Sequence, residues 1–346
     1  MCSRPIIPVP ITPQRSSGPL IRLSYPSRGV ARNFGCRGSR RWSDRVTSRL
    51  TDPNRRPLGR DFQVGPLGVG CWRLLARPDD ELRAVVETGL DLGMNLVDTA
   101  DIYGLGWGGQ AFGEAEENLG RILAGAPGLR DRMVLATKGG IIPTVPYNSG
   151  RDAITAACEA SLRRLRTDVI DLYQIHRPDM LTHPAELAGS LDDLRAAGKI
   201  REVGVSNFTP SQHEALAAHL PFPLASSQPE YSAAHLAPLR DGTFDLCMRD
   251  GVLPLAWSPL GGGRLADGSG VRAELVAVID RLAEREGVDR ATLAVAFVLA
   301  HPSKPVALLG TQRPDRLAQL AGATGVHLER NDVYDVIEAS EGARLP

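Results

Sequence analysis

Four side chains in this sequence can together hold and deliver a proton: Asp98, Tyr103, Lys138 and His176. A phenol titrates near pH 10 on its own, so giving up its proton near neutrality requires a neighbour that stabilises the phenolate. Lys138 brings a positive charge, and on that account the sequence predicts a lowered Tyr103 pKa. Asp98 can hold the ammonium in place. The His176 imidazole can hydrogen-bond a carbonyl oxygen and orient it. Such a set protonates an oxygen as negative charge develops on it. What it lacks is the group that creates the charge.

These residues lie far apart in the chain, yet each ends or closely follows a short apolar run. NLV precedes Asp98, and Tyr103 follows in DTADIY. MVLATK ends at Lys138, and DVIDLYQIH ends at His176. In a parallel barrel every strand points the same way, so strand ends remote in sequence meet on one face. From about residue 62 the whole chain alternates in this manner. QVGPLGVGCW, NLVDT, MVLATK, DVIDLYQIH, VGVSNF, PLASSQ, VLPLAW and PVALLG read as strands. Between them lie segments of helical period, such as the one that lines up Leu82, Val85, Val86, Leu90 and Leu92. Thr209 and Pro210 read as the N-cap and first residue of another helix. Repeated strand–helix units predict an α/β fold with parallel strands and right-handed crossovers, and about eight of them predict closure into a (β/α)₈ barrel. NDVYDVIEAS adds one extra C-terminal helix. The barrel is expected over residues 59–346 as one domain.

Residues 1–58 read as an Arg/Ser/Pro-rich disordered tail, a transit-type segment, or a start assigned too far upstream. The chain has equal numbers of basic and acidic side chains, 40 each, but residues 1–50 alone carry a formal +9 and the remainder −9. An acidic body argues against broad nucleic-acid binding. No apolar stretch approaches the ~20 residues that span a membrane, and no secretory h-region is evident. Five cysteines with no CxxC pair suit reduced thiols in a cytoplasm, and seven histidines without HxxxH or HExxH spacing support no metal site.

DTADIYG, a Lys ending one strand and a His ending the next, GVSNF and AWSPL occur in that order, and with them the chain resembles the aldo/keto reductases from about residue 62 to 340. The resemblance implies a (β/α)₈ enzyme that reduces aldehydes and ketones with NADPH, the missing hydride source. It implies Tyr103 as general acid, Lys138 and Asp98 as its supporting pair, and His176 as the carbonyl orienter. Glu stands at that last position in members that reduce steroid double bonds, so His176 argues for carbonyl reduction. Ser206, Asn207 and Gln228 match the residues that hold the nicotinamide carboxamide, and Trp257 the ring that stacks on the nicotinamide. SPLGGGRL supplies Ser258, Leu260, Gly261, Gly262, Gly263 and Arg264 beside the pyrophosphate, where glycines let backbone N–H groups approach. GTQRPDRL supplies Thr311, Arg313 and Arg316, which can clamp a 2′-phosphate through forked donors. Barrel phosphate sites follow the seventh and eighth strands, where these two segments fall. The chain departs from the family at Gly310, a Lys in some branches, and at Leu320, often an Asn that meets adenine.

GLGWGG, residues 104–109, satisfies GxGxxG, but DTADIY separates it from its strand, against a dinucleotide-binding turn. It is expected to arch over the site, with Trp72 and Trp107 as apolar walls for a small carbonyl substrate. The family also contains redox-sensing subunits that bind NADPH, turn over slowly and regulate a partner, which is the alternative to an enzyme.

Overall fold

The computed structural model describes residues 50–346 except Ala76, Trp107 and Thr144. The Trp107 expectation and residues 1–49 therefore lie outside the described residues. Two short strands come first, β1 (Arg56–Leu58) and β2 (Phe62–Val64), paired as an antiparallel hairpin. Then β3 (Leu67–Gly70), α1 (Asp79–Asp91), β4 (Leu96–Asp98), α2 (Glu114–Gly125), β5 (Val134–Gly139) and α3 (Arg151–Leu165) follow in strict alternation. The alternation continues with β6 (Ile170–Ile175), α4 (Pro184–Ala196), β7 (Ile200–Ser206), α5 (Pro210–Ala217), β8 (Ser226–Gln228), α6 (Thr243–Asp250) and β9 (Leu253–Ala256). A short α7 (Arg264–Asp267), α8 (Ala273–Glu286) and α9 (Arg290–Leu299) lead to β10 (Val306–Leu309), and α10 (Pro314–Ala321) and α11 (Arg330–Glu341) close the chain.

Strands β3 to β10 form a closed parallel barrel, sealed where Ala307 and Leu308 of β10 pair with Leu67 and Gly68 of β3. The expected (β/α)₈ architecture and the extra C-terminal helix are both present. Parallel strands under helices are covered on both faces, which explains why β5 and β6 are buried at every residue, polar ones included. The helices cover them with single apolar faces: α1 buries Leu82, Val85, Val86 and Leu90. Thr209 caps α5 in a capping box with Gln212, and Pro210 opens the helix.

The expected domain boundary is too late. Residues 50–58 belong to the folded body: Leu50 N–H donates to Leu328 O at 3.2 Å, and the Thr51 hydroxyl donates to Val326 O at 2.6 Å. Arg56 is buried and donates to the carbonyls of Lys304 at 2.8 Å, Asn54 at 2.9 Å and Asp52 at 3.2 Å. Burial drops its pKa to about 10, so it stays charged near neutrality. Leu58 and Val64 of the hairpin pack against Leu96, Val134 and Val306, the first residues of β4, β5 and β10. The hairpin thus plugs the N-terminal end of the barrel and leaves the C-terminal end open. Among the described residues no helix is long and apolar enough to cross a membrane.

Candidate active site

Barrel closure brings the predicted proton-handling residues together at the open end. Asp98 is the last residue of β4, and the loop after it stays paired to β5, with Thr99 N–H on Ala136 O and Asp101 N–H on Lys138 O. That pairing carries Tyr103 back over β5. The Lys138 ammonium donates to Asp98 Oδ2 at 2.6 Å, to Thr99 O at 2.8 Å and to the Tyr103 hydroxyl at 3.2 Å. Its side chain is fully buried. His176 follows β6, tied to β5 by its N–H on Gly139 O, and its ring meets the Tyr103 ring edge-on at 5.8 Å between centroids.

Burial lowers the Lys138 pKa, but Asp98 and the phenol oxygen outweigh it and leave the ammonium above its ordinary value. For Tyr103 the balance differs from the sequence expectation. Burial raises its pKa and Asp98 adds to the rise, while Lys138 only partly offsets them, so the phenol ends above its ordinary value. The free site therefore keeps the phenol protonated, with the Lys138 ammonium against its oxygen. Burial, with help from Lys138 and Arg177, depresses His176 well below the usual imidazole value, which keeps the ring neutral. Its Nδ1 is buried without a partner among the described residues. A proton there would be an unsatisfied donor, so the N–H belongs on Nε2, the nitrogen open to the cavity.

Asp98, Tyr103 and His176, but not the buried Lys138, line a cavity of about 320 Å³ with Cys71, Trp72, Ser206, Asn207, Gln228 and Trp257. The Ser206 hydroxyl donates to Gln228 O at 3.0 Å, and the Asn207 amide donates to Ser206 Oγ at 2.8 Å. Trp257 Nε1–H donates to Asn207 Oδ1 at 3.0 Å, which stands the indole against the cavity. Asn207 itself has φ of 59°, a left-handed conformation that Asn tolerates better than most residues. Burial pushes the Cys71 thiol up to about 12, so it is an inert part of the wall.

A second cavity of about 540 Å³ continues from the first over the ends of β9 and β10, with Trp72, Ser258 and Gly310 lining both. Of the predicted phosphate-loop residues, Ser258, Leu260, Gly262, Gly263, Thr311, Arg313 and Arg316 line it. Gly261 and Arg264 do not. Gly261 is buried beneath the loop, and Arg264 turns back to donate to Gly261 O at 2.8 Å, bracing the turn instead of facing the cleft. Gly262 and Gly263 have φ of 76° and 109°, and an added Cβ at either would meet no protein atom within 4 Å. Gly310 permits a close approach, since a Cβ there would come within 2.3 Å of Trp72 Nε1. Arg313 is paired with Asp315, whereas Arg316 is exposed and has no carboxylate partner among the described residues.

Sequence reasoning missed four contributors. Arg73 and Arg77, from the loop after β3, line the larger cavity across the barrel seam. Arg177 lines the smaller one, 6.0 Å over the Trp257 ring, with no carboxylate partner among the described residues. Gln174 lies beneath the cavity and donates to Asp98 Oδ1 at 3.0 Å. Its position two residues before His176, facing the same side of β6, was the available signal.

The aldo/keto reductase family profile matches residues 66–341. The 6-dehydroglucose reductase of Novosphingobium aromaticivorans is 46% identical over 298 residues, covering 85% of this chain and 98% of that protein. A 6-dehydroglucose reductase of Agrobacterium fabrum is 35% identical over 300 residues, covering 83% and 98%. The structure of a glycerol dehydrogenase from Gluconobacter oxydans matches with a TM-score of 0.73 at 27% identity, over 85% of this chain and 98% of that one. The chain belongs to the aldo/keto reductase family, oxidoreductases that act on carbonyl substrates.

Proposed function

We propose that the protein is an NADPH-dependent reductase of aldehydes and ketones, with a sugar aldehyde of the 6-dehydroglucose type as its substrate. One observation carries the reading: the hydrogen-bonded series Asp98–Lys138–Tyr103 opens onto a cavity continuous with a glycine-lined, arginine-flanked cleft.

The residues fit a nicotinamide dinucleotide. The smaller cavity offers Ser206, Asn207 and Gln228 to a carboxamide and the Trp257 face to a ring. The larger offers the bare backbone of Gly262 and Gly263 to a pyrophosphate, and Thr311 and Arg316 to a 2′-phosphate. Arg316 is the stronger candidate there, because Arg313 already has Asp315. When bound, a reduced nicotinamide supplies the hydride that the protein's own side chains lack.

A carbonyl oxygen in the smaller cavity would accept from His176 Nε2–H and from the Tyr103 hydroxyl. As charge grows on that oxygen, Tyr103 gives up its proton, and the phenolate is left against the Lys138 ammonium. Asp98 keeps that ammonium protonated and fixed. His176 stays neutral, so it orients the oxygen without competing as the acid.

The substrate class is supported by the 46% identity to a 6-dehydroglucose reductase along nearly its whole length. The unpaired Arg177 guanidinium adds donors suited to the hydroxyl oxygens of a sugar. The test is NADPH consumption with 6-dehydroglucose against a plain aldehyde such as hexanal. We expect kcat/KM to favour the sugar aldehyde by at least about 100-fold, since a site built for hydroxyls can reject an analogue without them by about 10⁴–10⁵. Equal values would remove the substrate class. No consumption with any carbonyl would remove the reductase reading and favour a slow, NADPH-binding regulatory subunit.

A further inference from the structure

Asp98 uses only one of its oxygens on Lys138. The other, Oδ1, accepts from two amides, Gln174 Nε2–H at 3.0 Å and Gln228 Nε2–H at 3.1 Å. Gln174 Oε1 in turn accepts from Gln228 Nε2–H at 3.2 Å and from the Ser226 hydroxyl at 3.4 Å. Gln174 is fully buried and does not line the cavity, so it touches neither cofactor nor substrate. Its room comes from β7: a Cβ at Gly204 would fall 2.1 Å from Ser226 Oγ and 3.1 Å from Gln174 Cγ.

The two protons of Gln228 Nε2 are thus both taken, one by Asp98 and one by Gln174. This leaves Gln228 Oε1 without a partner among the described residues and open to the cavity. The cavity is offered an acceptor at that point and not a donor. An amide at position 174 donates to the carboxylate and accepts from the second amide at the same time, whatever the pH. A carboxylate would repel Asp98, and an aliphatic side chain would leave the Gln228 amide with one anchor, Asp98, instead of two.

We propose that Gln174 is a positioning residue that fixes the Gln228 amide with its oxygen toward the nicotinamide, as the acceptor for the carboxamide N–H. The shared Asp98 carboxylate joins this cofactor contact to the Lys138–Tyr103 pair. The proposal rests on the nicotinamide reading of the cavity.

The test compares binding of NADPH with binding of its reduced 3-acetylpyridine analogue, in which a methyl group replaces the carboxamide nitrogen. Binding is followed by quenching of tryptophan fluorescence in the full chain. The wild-type protein should prefer NADPH by about tenfold, the scale of one buried acceptor left unmatched. Gln174→Met should bring the preference below about threefold while binding of the analogue itself changes little. Gln174→Glu keeps the volume and gives a second readout. Its protonated acid can donate to Asp98 and accept from Gln228, so the preference should return as pH falls and vanish as it rises. A wild-type protein that binds both dinucleotides equally overturns the proposal and leaves the nicotinamide reading intact. So does a Gln174→Met protein with full preference or, if that variant does not fold, a Gln174→Glu protein with a wild-type, pH-independent preference. A wild-type protein that binds neither dinucleotide overturns the nicotinamide reading itself.

Discussion

Asp98→Asn probes the account through the sign of a pH dependence. The substitution leaves volume almost unchanged but removes the counter-charge from a fully buried ammonium. A single amide oxygen also cannot serve both faces of the position, where Lys138 approaches one side and the Gln174 and Gln228 amides the other. Breaking a buried ion pair by removing one partner costs about 3–5 kcal/mol. At about 1.4 kcal/mol per pH unit, the Lys138 titration moves down by about 2–4 pH units. Asp98 is one of the groups that hold this ammonium above its ordinary value, so its removal brings the titration down toward the range of an ordinary assay. On the proposed mechanism activity needs the charged lysine beside Tyr103, and the variant should therefore gain activity as pH falls and lose it as pH rises. The wild-type rate should stay level over the same interval, because its ammonium and phenol both titrate above their ordinary values. Near pH 8 the variant should also be slower by roughly 10²–10³-fold, the scale of one lost electrostatic stabiliser. The assay is kcat/KM for carbonyl reduction between pH 6 and 9. A variant profile parallel to the wild type, or a rate within about threefold of it, would refute the assignment of Asp98 as the group that keeps Lys138 charged.

Two further outcomes are expected. Arg316→Ala should weaken NADPH by about tenfold or more and NADH by less than about twofold, the difference that one charge-assisted phosphate contact makes; Arg313→Ala should do less, because Asp315 already occupies that guanidinium, and equal losses for the two dinucleotides would remove the 2′-phosphate role. Burial holds His176, His213 and His301 below their ordinary imidazole value, His301 at about 4. The unfolded chain takes up these protons near pH 6.5 and the folded one only lower, so stability present above about 6.5 is lost as pH falls through the folded values. Tm should drop between about pH 6.5 and 4, less steeply in His301→Phe; a flat Tm over that interval would contradict the burial argument.

The barrel was legible because its strands are covered on both faces. Strands such as β5 and β6 then show no clean apolar–polar alternation, and the Lys and His at or just past their C-terminal ends stand out as residues that burial alone does not call for. The β1–β2 hairpin was not legible: Arg56–Leu58 is three residues with a proline in the middle, too short to show a period of two. Helix α6 was missed for a similar reason, being eight residues that begin after a left-handed Gly242. Within the site, single positions at strand ends were readable, but their partners were not. Arg77 meets Gln312 across 235 residues of chain, because the barrel closes between β10 and β3. Gln174 depends on the space above Gly204 in the next strand, which no local pattern announces. The glycine run 261–263 read as three equivalent backbone donors, yet the turn buries the first and leaves only the other two facing the cleft. The sign of the Tyr103 shift escaped because charge partners can be guessed from sequence, whereas the depth of burial that outweighs them cannot.

The most direct test of the central claim is a single-turnover measurement on Tyr103→Phe. The variant is loaded with NADPH and mixed with a carbonyl substrate, and the loss of reduced nicotinamide absorbance is followed. NADPH should bind as it does to the wild type, since the lost hydroxyl contacts Lys138 and no predicted cofactor contact. The oxidation step should slow by at least about 100-fold, the low end for removing a general acid. Oxidation at a near wild-type rate with NADPH bound would contradict Tyr103 as the proton donor.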